Sequence, residues 1–236
     1  MQVEYHLNAG KIVMSSTILD LSAEGSSVSL TELAYQKLRA YLLQGTLPAG
    51  TLIAERRLAE QMGLSRTPVR DALSRLEGER FLSRNGRMLF VATVSVKEII
   101  DILSIRRLLE SDAARLAARN MPLSKVAELR QEIEAMIASG HVSDEEHWSA
   151  DDHLHTGLAD TSGNHELSRI IDLLRKRTRM FGMTRIPSRF DAGIREHLAI
   201  LDAVAARDGD RAAELMRVHL DGARDAIIEA LQGGTV

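Results

Sequence analysis

The chain has 236 residues, 44% hydrophobic and 27% charged but only 3% aromatic, which excludes a disordered protein and points to an aliphatic core with a bias to helix over sheet. It contains no cysteine, so disulfides and thiolate metal sites are excluded and any metal must be held by His and carboxylates. The net charge of −3 hides an asymmetry: residues 28–95 carry ten Lys/Arg against six Asp/Glu, residues 96–236 nineteen against twenty-four, and residues 1–27 one against three. A basic module ahead of an acidic one suits a polyanionic partner for the first and not for the second.

In chain order, residues 1–27 show no sustained period, end in the Ser/Gly-rich run Ser22–Ser27, and are expected to be a mobile tail. They lack the basic-then-apolar order of a secretory signal, and no apolar run nears the ~20 residues of a bilayer span, so a cytoplasmic location is expected. A helix is predicted over Leu30–Gln44, with Leu33, Leu38, Tyr41 and Leu42 inward, stopped by Gly45 and the turn Pro48-Ala-Gly50. A short helix, Ala54–Met62, ends at Gly63. Ser65 is a candidate N-cap for a helix to Glu79, and Pro68 is tolerated in its first turn. Phe81–Arg84 and Met88–Val94 read as strands around the hairpin signal Asn85-Gly86.

Beyond Ser95 only helices are predicted: Ser95–Asn120, opened by the capping-box pattern Ser95-Val-Lys-Glu98, then Ser124–Ser139, Asp144–Asp160, His165–Met183, Phe190–Arg207 and Asp210–Leu231. Ser143-Asp-Glu-Glu146 is a second capping box; breakers fall at Gly140, Gly163-Asn164, Pro187 and Gly209. The expected fold is mainly α. It comprises a winged helix-turn-helix over 28–94, with three helices and a small β-hairpin wing, and an all-α bundle of six or seven helices over 95–232.

Helix, short helix, tight glycine turn, second helix and hairpin is the order of that DNA-binding motif, whose second helix enters the major groove N-terminus first. Here that terminus is Ser65-Arg66-Thr67-Pro68-Val69-Arg70. Arg66 and Arg70 are four apart and share a face, arginine matches a guanine edge, and hydroxyls with free N–H groups at a helix start suit phosphates. Leu58, Leu64, Val69, Leu73 and Leu76 are left to fill the inner face.

The stretch Leu47–Glu55, then Leu58–Leu73, then Arg75-Leu-Glu77 resembles the DNA-binding domain of GntR-family regulators, most closely over Gly63–Leu73. The resemblance places Arg56, Ser65, Arg66, Thr67 and Arg70 where family members touch DNA. It puts Asn85 and Gly86 at the wing tip, which reaches the minor groove in relatives. The family usually has glycine after the recognition helix; here Arg80 follows Glu79, which requires either a reshaped turn or a left-handed arginine.

Four groups stand out as possible metal ligands. Asp151 and His155 are at i and i+4 on one helical face, while His197 and His219 lie on two later helices that a bundle can bring together. His147, four before Asp151, permits a rival set. Three imidazoles and a carboxylate suit Zn, Ni, Mn or Fe alike.

The segments Arg106–Glu110, Ala113–Ala118, Asp151–His155, Ser162-Gly-Asn164, and Glu196-His197 through His219 resemble the FCD domain, the helical effector domain of one GntR (FadR-type) subfamily, with Leu154 in place of its usual Phe. That resemblance selects Asp151, His155, His197 and His219 as the ligands. It also implies open metal positions for the carboxylate of a small organic acid. Arg106, then Arg175 and Arg179, are candidate clamps for that acid; Asn164 either faces it or caps the following helix.

The resulting expectation is a homodimeric repressor of a short, near-palindromic double-stranded operator, responsive to a small carboxylic acid and not an enzyme. A metal-dependent hydrolase or isomerase with an accessory DNA-binding module is the alternative. No general base is evident beside the ligands to support it.

Overall fold

In a computed structural model of the chain, residues 29–139, 142–180 and 187–232 are described. The expected N-terminal tail lies outside them. The elements are α1 (Leu30–Leu43), α2 (Glu55–Met62), α3 (Arg66–Gly78), β1 (Leu82–Asn85), β2 (Met88–Val91), α4 (Val96–Asn120), α5 (Leu123–Ala138), α6 (Asp144–Thr161), α7 (His165–Arg179), α8 (Pro187–Ala205) and α9 (Gly209–Gln232). Among the described residues no helix is long and apolar enough to cross a membrane.

The first three helices and the hairpin enclose one core: Ala34, Tyr35, Leu38 and Leu42 of α1, Leu58 of α2, Val69, Leu73 and Leu76 of α3, then Phe81, Leu89 and Val91. The buried stripe of α1 thus differs from the expected one: Leu33 and Tyr41 are only half-buried, and Ala34 and Tyr35 replace them. The polar tip of Tyr35 explains the choice. Its hydroxyl donates to Glu79 at 2.7 Å and Arg75 stacks over its ring at 3.6 Å, so the aromatic body is buried while its phenol ties α1 to α3.

Asn85 pairs with Met88, which makes Gly86-Arg87 the two-residue loop, one position later than an Asn-Gly turn would sit. Gly86 has φ 59°, the positive value required at the first position of a type II′ turn. Residues 50–53 lie along β2, with Gly50 N–H bonding Val91 O, Ile53 N–H bonding Leu89 O and a bridge from Leu52 to Phe90, a pairing the sequence pattern did not signal.

Arg80 turns the chain from α3 into β1 with φ 63°. The left-handed arginine, and not a reshaped turn, is therefore the outcome. Such a conformation costs an L side chain roughly 1–2 kcal/mol, against the backbone entropy that glycine loses on folding. Arg80→Gly is expected to raise unfolding stability by about 0.5–1 kcal/mol, read as a higher denaturant midpoint at unchanged slope.

Among the described residues six helices, α4–α9, follow. α4 and α9 lie along one another, α8 packs on α9, α5 bridges α6 and α8, and α6 and α7 lie against α4. Their core includes Ile99, Leu103, Leu129, Leu154, Leu158, Ile200, Leu201, Met216 and Leu220. Helix starts follow the capping chemistry. Ser143 and Glu146 form the full capping box of α6, and Asn164 caps α7 by accepting from Leu167 N–H at 3.1 Å. At α4 only half of the expected box is kept: Ser95 accepts from Glu98 N–H, while the Glu98 carboxylate pairs with Arg177 of α7. Pro187, expected as a breaker, begins α8; at a first helical position its missing N–H costs nothing.

Candidate metal centre and nucleic-acid interface

α6, α8 and α9 converge on one buried cluster. One turn of α6 sets Asp151 above His155, α8 contributes His197 and α9 His219, and one ligand atom from each lies within 4.8 Å of all the others. His197 Nε2 is 3.3 Å from His219 Nε2 and 3.4 Å from Asp151 Oδ1, and His155 Nε2 is 3.7 Å from the same oxygen. Ligand atoms ~2.1 Å from a tetrahedral ion are about 3.4 Å apart, so these three separations are compatible with a shared ion. His155 Nε2 is buried without a hydrogen-bond partner among the described residues, a costly state for an imidazole nitrogen that a cation would relieve. His147 is not among the four converging groups; its ring meets Phe190 at a 56° tilt with centroids 5.2 Å apart.

Partners behind the rings orient them. Glu110 of α4 holds His155 Nδ1, and Glu196 of α8 accepts from His219 Nδ1 at 2.8 Å, so both rings turn their Nε2 lone pairs to the centre. Glu110 is held in turn by Arg106 Nε at 2.6 Å, and Glu196 by Arg189 Nη1 at 2.7 Å. Burial lowers His155 to about 4, with Arg175 adding to it, and burial with the neighbouring His219 holds His197 well below its usual value. Burial opposes ionisation of Asp151, but Arg175 and the histidines outweigh it and keep its carboxyl well below the usual range. Neutral His155 and His197 beside an ionised Asp151 are the protonation states a divalent cation requires.

Arg175 of α7 is buried and donates from Nη2 to Asp151 Oδ2 and Asp152 Oδ1, both at 2.6 Å, while its Nε and Nη1 have no hydrogen-bond partner among the described residues. Arg179, one turn on, lies 3.7 Å from Asp152 Oδ2 and 5.9 Å from the Trp148 ring centroid. Arg106 reaches the site through Glu110, and its Nη1 donates to Thr178 Oγ1 at 3.2 Å. Asn164 is not brought to this cluster. It is exposed and caps the opposite end of α7, about three turns or ~16 Å from Arg175. Glu110, Glu196, Arg189 and Asp152 were missed in the sequence. Arg106 and Glu110, an i,i+4 charge pair on the face where Ile99, Leu103 and Ala114 are buried, were the available signal.

In the N-terminal module Ser65, Arg66, Thr67 and Arg70 form one exposed row at the start of α3. Ser65 occupies the N-cap position, yet its side chain makes no capping bond, which leaves the hydroxyl and the first N–H groups open to an anion. Arg56 is exposed on α2, 3.5 Å from Glu60, and Asn85 and Gly86 stand exposed at the hairpin end. A cavity of about 230 Å³ between α3 and the hairpin is lined by Glu55, Arg70, Arg84 and Arg87 among others, which adds Arg87 of the turn to the cations on this face.

Residues 30–91 match the gntR family of bacterial regulatory proteins, and residues 101–222 match the FCD domain. The Nta operon transcriptional regulator of Aminobacter aminovorans is 32% identical over 185 residues, 78% of this chain and 88% of that protein. The transcriptional repressor GlaR of Escherichia coli is 29% identical over 217 residues, 84% of this chain and 96% of its own. Among solved structures, E. coli McbR/YncC superposes with a TM-score of 0.73 at 24% identity, covering 86% of this chain and 99% of that one, a likeness of fold. The chain belongs to the GntR family of bacterial regulatory proteins and carries its FCD domain: it is a DNA-binding transcription regulator and not an enzyme.

Proposed function

We propose that this regulator is a homodimeric repressor that holds a divalent cation at Asp151, His155, His197 and His219 and releases a near-palindromic operator when a small carboxylic acid joins that cation. In this reading residues 28–94 read DNA and residues 95–232 sense the acid. The observation that carries it is the cluster of four convergent ligand atoms in which His155 Nε2 has no hydrogen-bond partner among the described residues, beside a buried arginine whose Nε and Nη1 likewise have none. A bound cation, be it Zn, Ni, Mn or Fe, supplies a Lewis-acidic centre for an anionic oxygen. In this reading Arg175 Nε and Nη1 donate to the same anion, Nη1 giving up its 3.9 Å ion pair with Glu110, Arg179 adds charge beside them, and Arg106 acts at one remove by fixing Glu110.

Helix α7 offers a route from this cluster to the DNA module. It presents Arg175 to Asp151, pairs Arg177 with Glu98 at the start of α4, and packs Leu173 and Met180 against the core of the N-terminal module. An acid that draws Arg175 from Asp151 shifts that helix, and a coupling of ~1–3 kcal/mol suffices to change operator occupancy. Ile105 and Leu108 of α4 and Val218 of α9, exposed apolar side chains, support a partner subunit on that side.

A mobility-shift titration on the intergenic DNA beside this gene, with and without chelator and a panel of small organic acids, tests the reading. Metal-dependent release by one acid supports it; operator binding indifferent to metal and to every acid removes the sensing half.

Gly222 of α9 provides a finer check. A Cβ there would meet Arg189 Nη2 at 2.8 Å, so alanine displaces the guanidinium that holds Glu196 and thereby His219. Gly222→Ala is expected to weaken metal affinity by roughly 10–100-fold, the range for partners behind a ligand, with little loss of metal-free stability. Calorimetric titration with Zn²⁺ or Ni²⁺ reads the affinity and a chelated melt the stability.

A further inference from the structure

Glu55, the first residue of α2, places its carboxylate between the two arginines of α3. Arg66 Nε donates to Oε1 at 3.0 Å, while Arg70 donates from Nε to Oε2 at 3.2 Å and from Nη2 to Oε1 at 3.0 Å. The Arg70 contact is bidentate, so it sets the plane of the guanidinium as well as its distance. The carboxylate side chain is 26% exposed and the arginines 60% and 59%, so the acid lies beneath the pair and leaves their outer faces to solvent. Each guanidinium carries five N–H donors, and those without a hydrogen-bond partner among the described residues include both terminal nitrogens of Arg66 and Nη1 of Arg70.

A carboxylate on a surface that meets phosphates lowers affinity for any duplex, so its presence between two arginines calls for a compensating effect. Free arginine side chains carry ~2 kcal/mol of rotamer entropy each, which must be lost before a bidentate bond to a base edge forms. A shared acid removes much of that freedom in advance. It also cancels charge that would otherwise bind backbone phosphates without regard to sequence.

We infer that Glu55 is a specificity-determining residue: it touches no base, but it orients Arg66 and Arg70 for base edges and suppresses their indiscriminate attraction to phosphate. The inference rests on reading Arg66 and Arg70 as the base-contacting pair.

The test uses the full chain and a duplex selected by the wild-type protein from a randomised pool, with a scrambled duplex of equal length, titrated across a salt series. Glu55→Gln is near-isosteric and is expected to lower the selected-to-scrambled affinity ratio by about tenfold, chiefly through tighter scrambled binding with a steeper salt dependence. Glu60→Gln, the same charge change on α2 beside Arg56, separates charge from orientation: the inference requires that it leave the ratio intact. Thermal melts show that each variant is folded.

Equal tightening on both duplexes in Glu55→Gln, or an unchanged ratio, overturns the inference. If instead Arg66→Ala and Arg70→Ala keep the wild-type ratio, the base-contacting reading itself falls, whatever Glu55→Gln does.

Discussion

Alanine at His197 is expected to abolish the stabilisation that a divalent cation gives this protein. A ligand at a hundredfold excess over its dissociation constant stabilises the folded state by ~2.7 kcal/mol, and for a chain of this size each kcal/mol moves the midpoint by roughly 2–4 °C. Chelator-stripped wild-type protein should therefore gain about 5–10 °C on addition of Zn²⁺ or Ni²⁺, and His197→Ala none. Identical gains in the two proteins, followed by thermal melts, would remove His197 from the site.

The same cluster sets the acid response of the metal-free protein. His155 titrates near 4 in the fold and near 6.5 in the unfolded chain, with His197 depressed likewise, both chiefly by burial. Between those values the unfolded chain binds more protons, so stability falls as pH drops from 6.5 toward 4, by on the order of a few kcal/mol. Asp151 and Glu110 are also held low in the fold, burial being outweighed by Arg175 at the first and Arg106 at the second, so their contribution is lost further down, as pH falls below the ordinary carboxylate range. Melts of chelated protein from pH 7.5 to 4 should show this decline, and a bound cation should offset its upper part. A flat profile would mean that these histidines are not neutral and buried in solution.

Alanine at Arg66 is expected to cost sequence discrimination more than bare affinity. A well-aligned bidentate pair to a base is worth ~1–3 kcal/mol, so operator affinity should fall by one to two orders of magnitude. Binding to a scrambled duplex should lose only about what one released counterion contributes. Anisotropy titrations at several salt concentrations separate the two effects. An equal loss on both duplexes would assign Arg66 to the phosphates, and specificity would then belong to Arg70, Thr67 or the hairpin.

Much of this was legible in the sequence because the relevant physics is local. Helix positions followed from caps and breakers, and the reading of α3 from hydrophobic spacing and a glycine turn, all within a few residues of one another. Asp151 and His155 could be paired in advance because one helical turn joins them. Their convergence with His197 and His219 was implied by resemblance and not by spacing, which admitted His147 equally. Asn164 shows the converse: its cap geometry was readable, and that local bond already occupies the side-chain oxygen. Even the loop of the wing slipped by one residue, because strand register is decided by which side chains reach the core, here Leu82, Leu89 and Val91, and not by the turn dipeptide alone.

What the sequence by itself determined is the element order, the basic-then-acidic division and the exposed arginines of α3, since periodicity, capping and charge are properties of neighbouring residues. Only the tertiary structure decided that Glu110 faces His155, that Glu196 serves His219 rather than its sequence neighbour His197, that Arg175 closes on Asp151, and that Glu55 lies between Arg66 and Arg70. Those partners stand on different helices. A buried charge takes whichever opposite charge packing leaves within reach, because leaving it unpaired costs more than any local preference, and that choice is made in three dimensions.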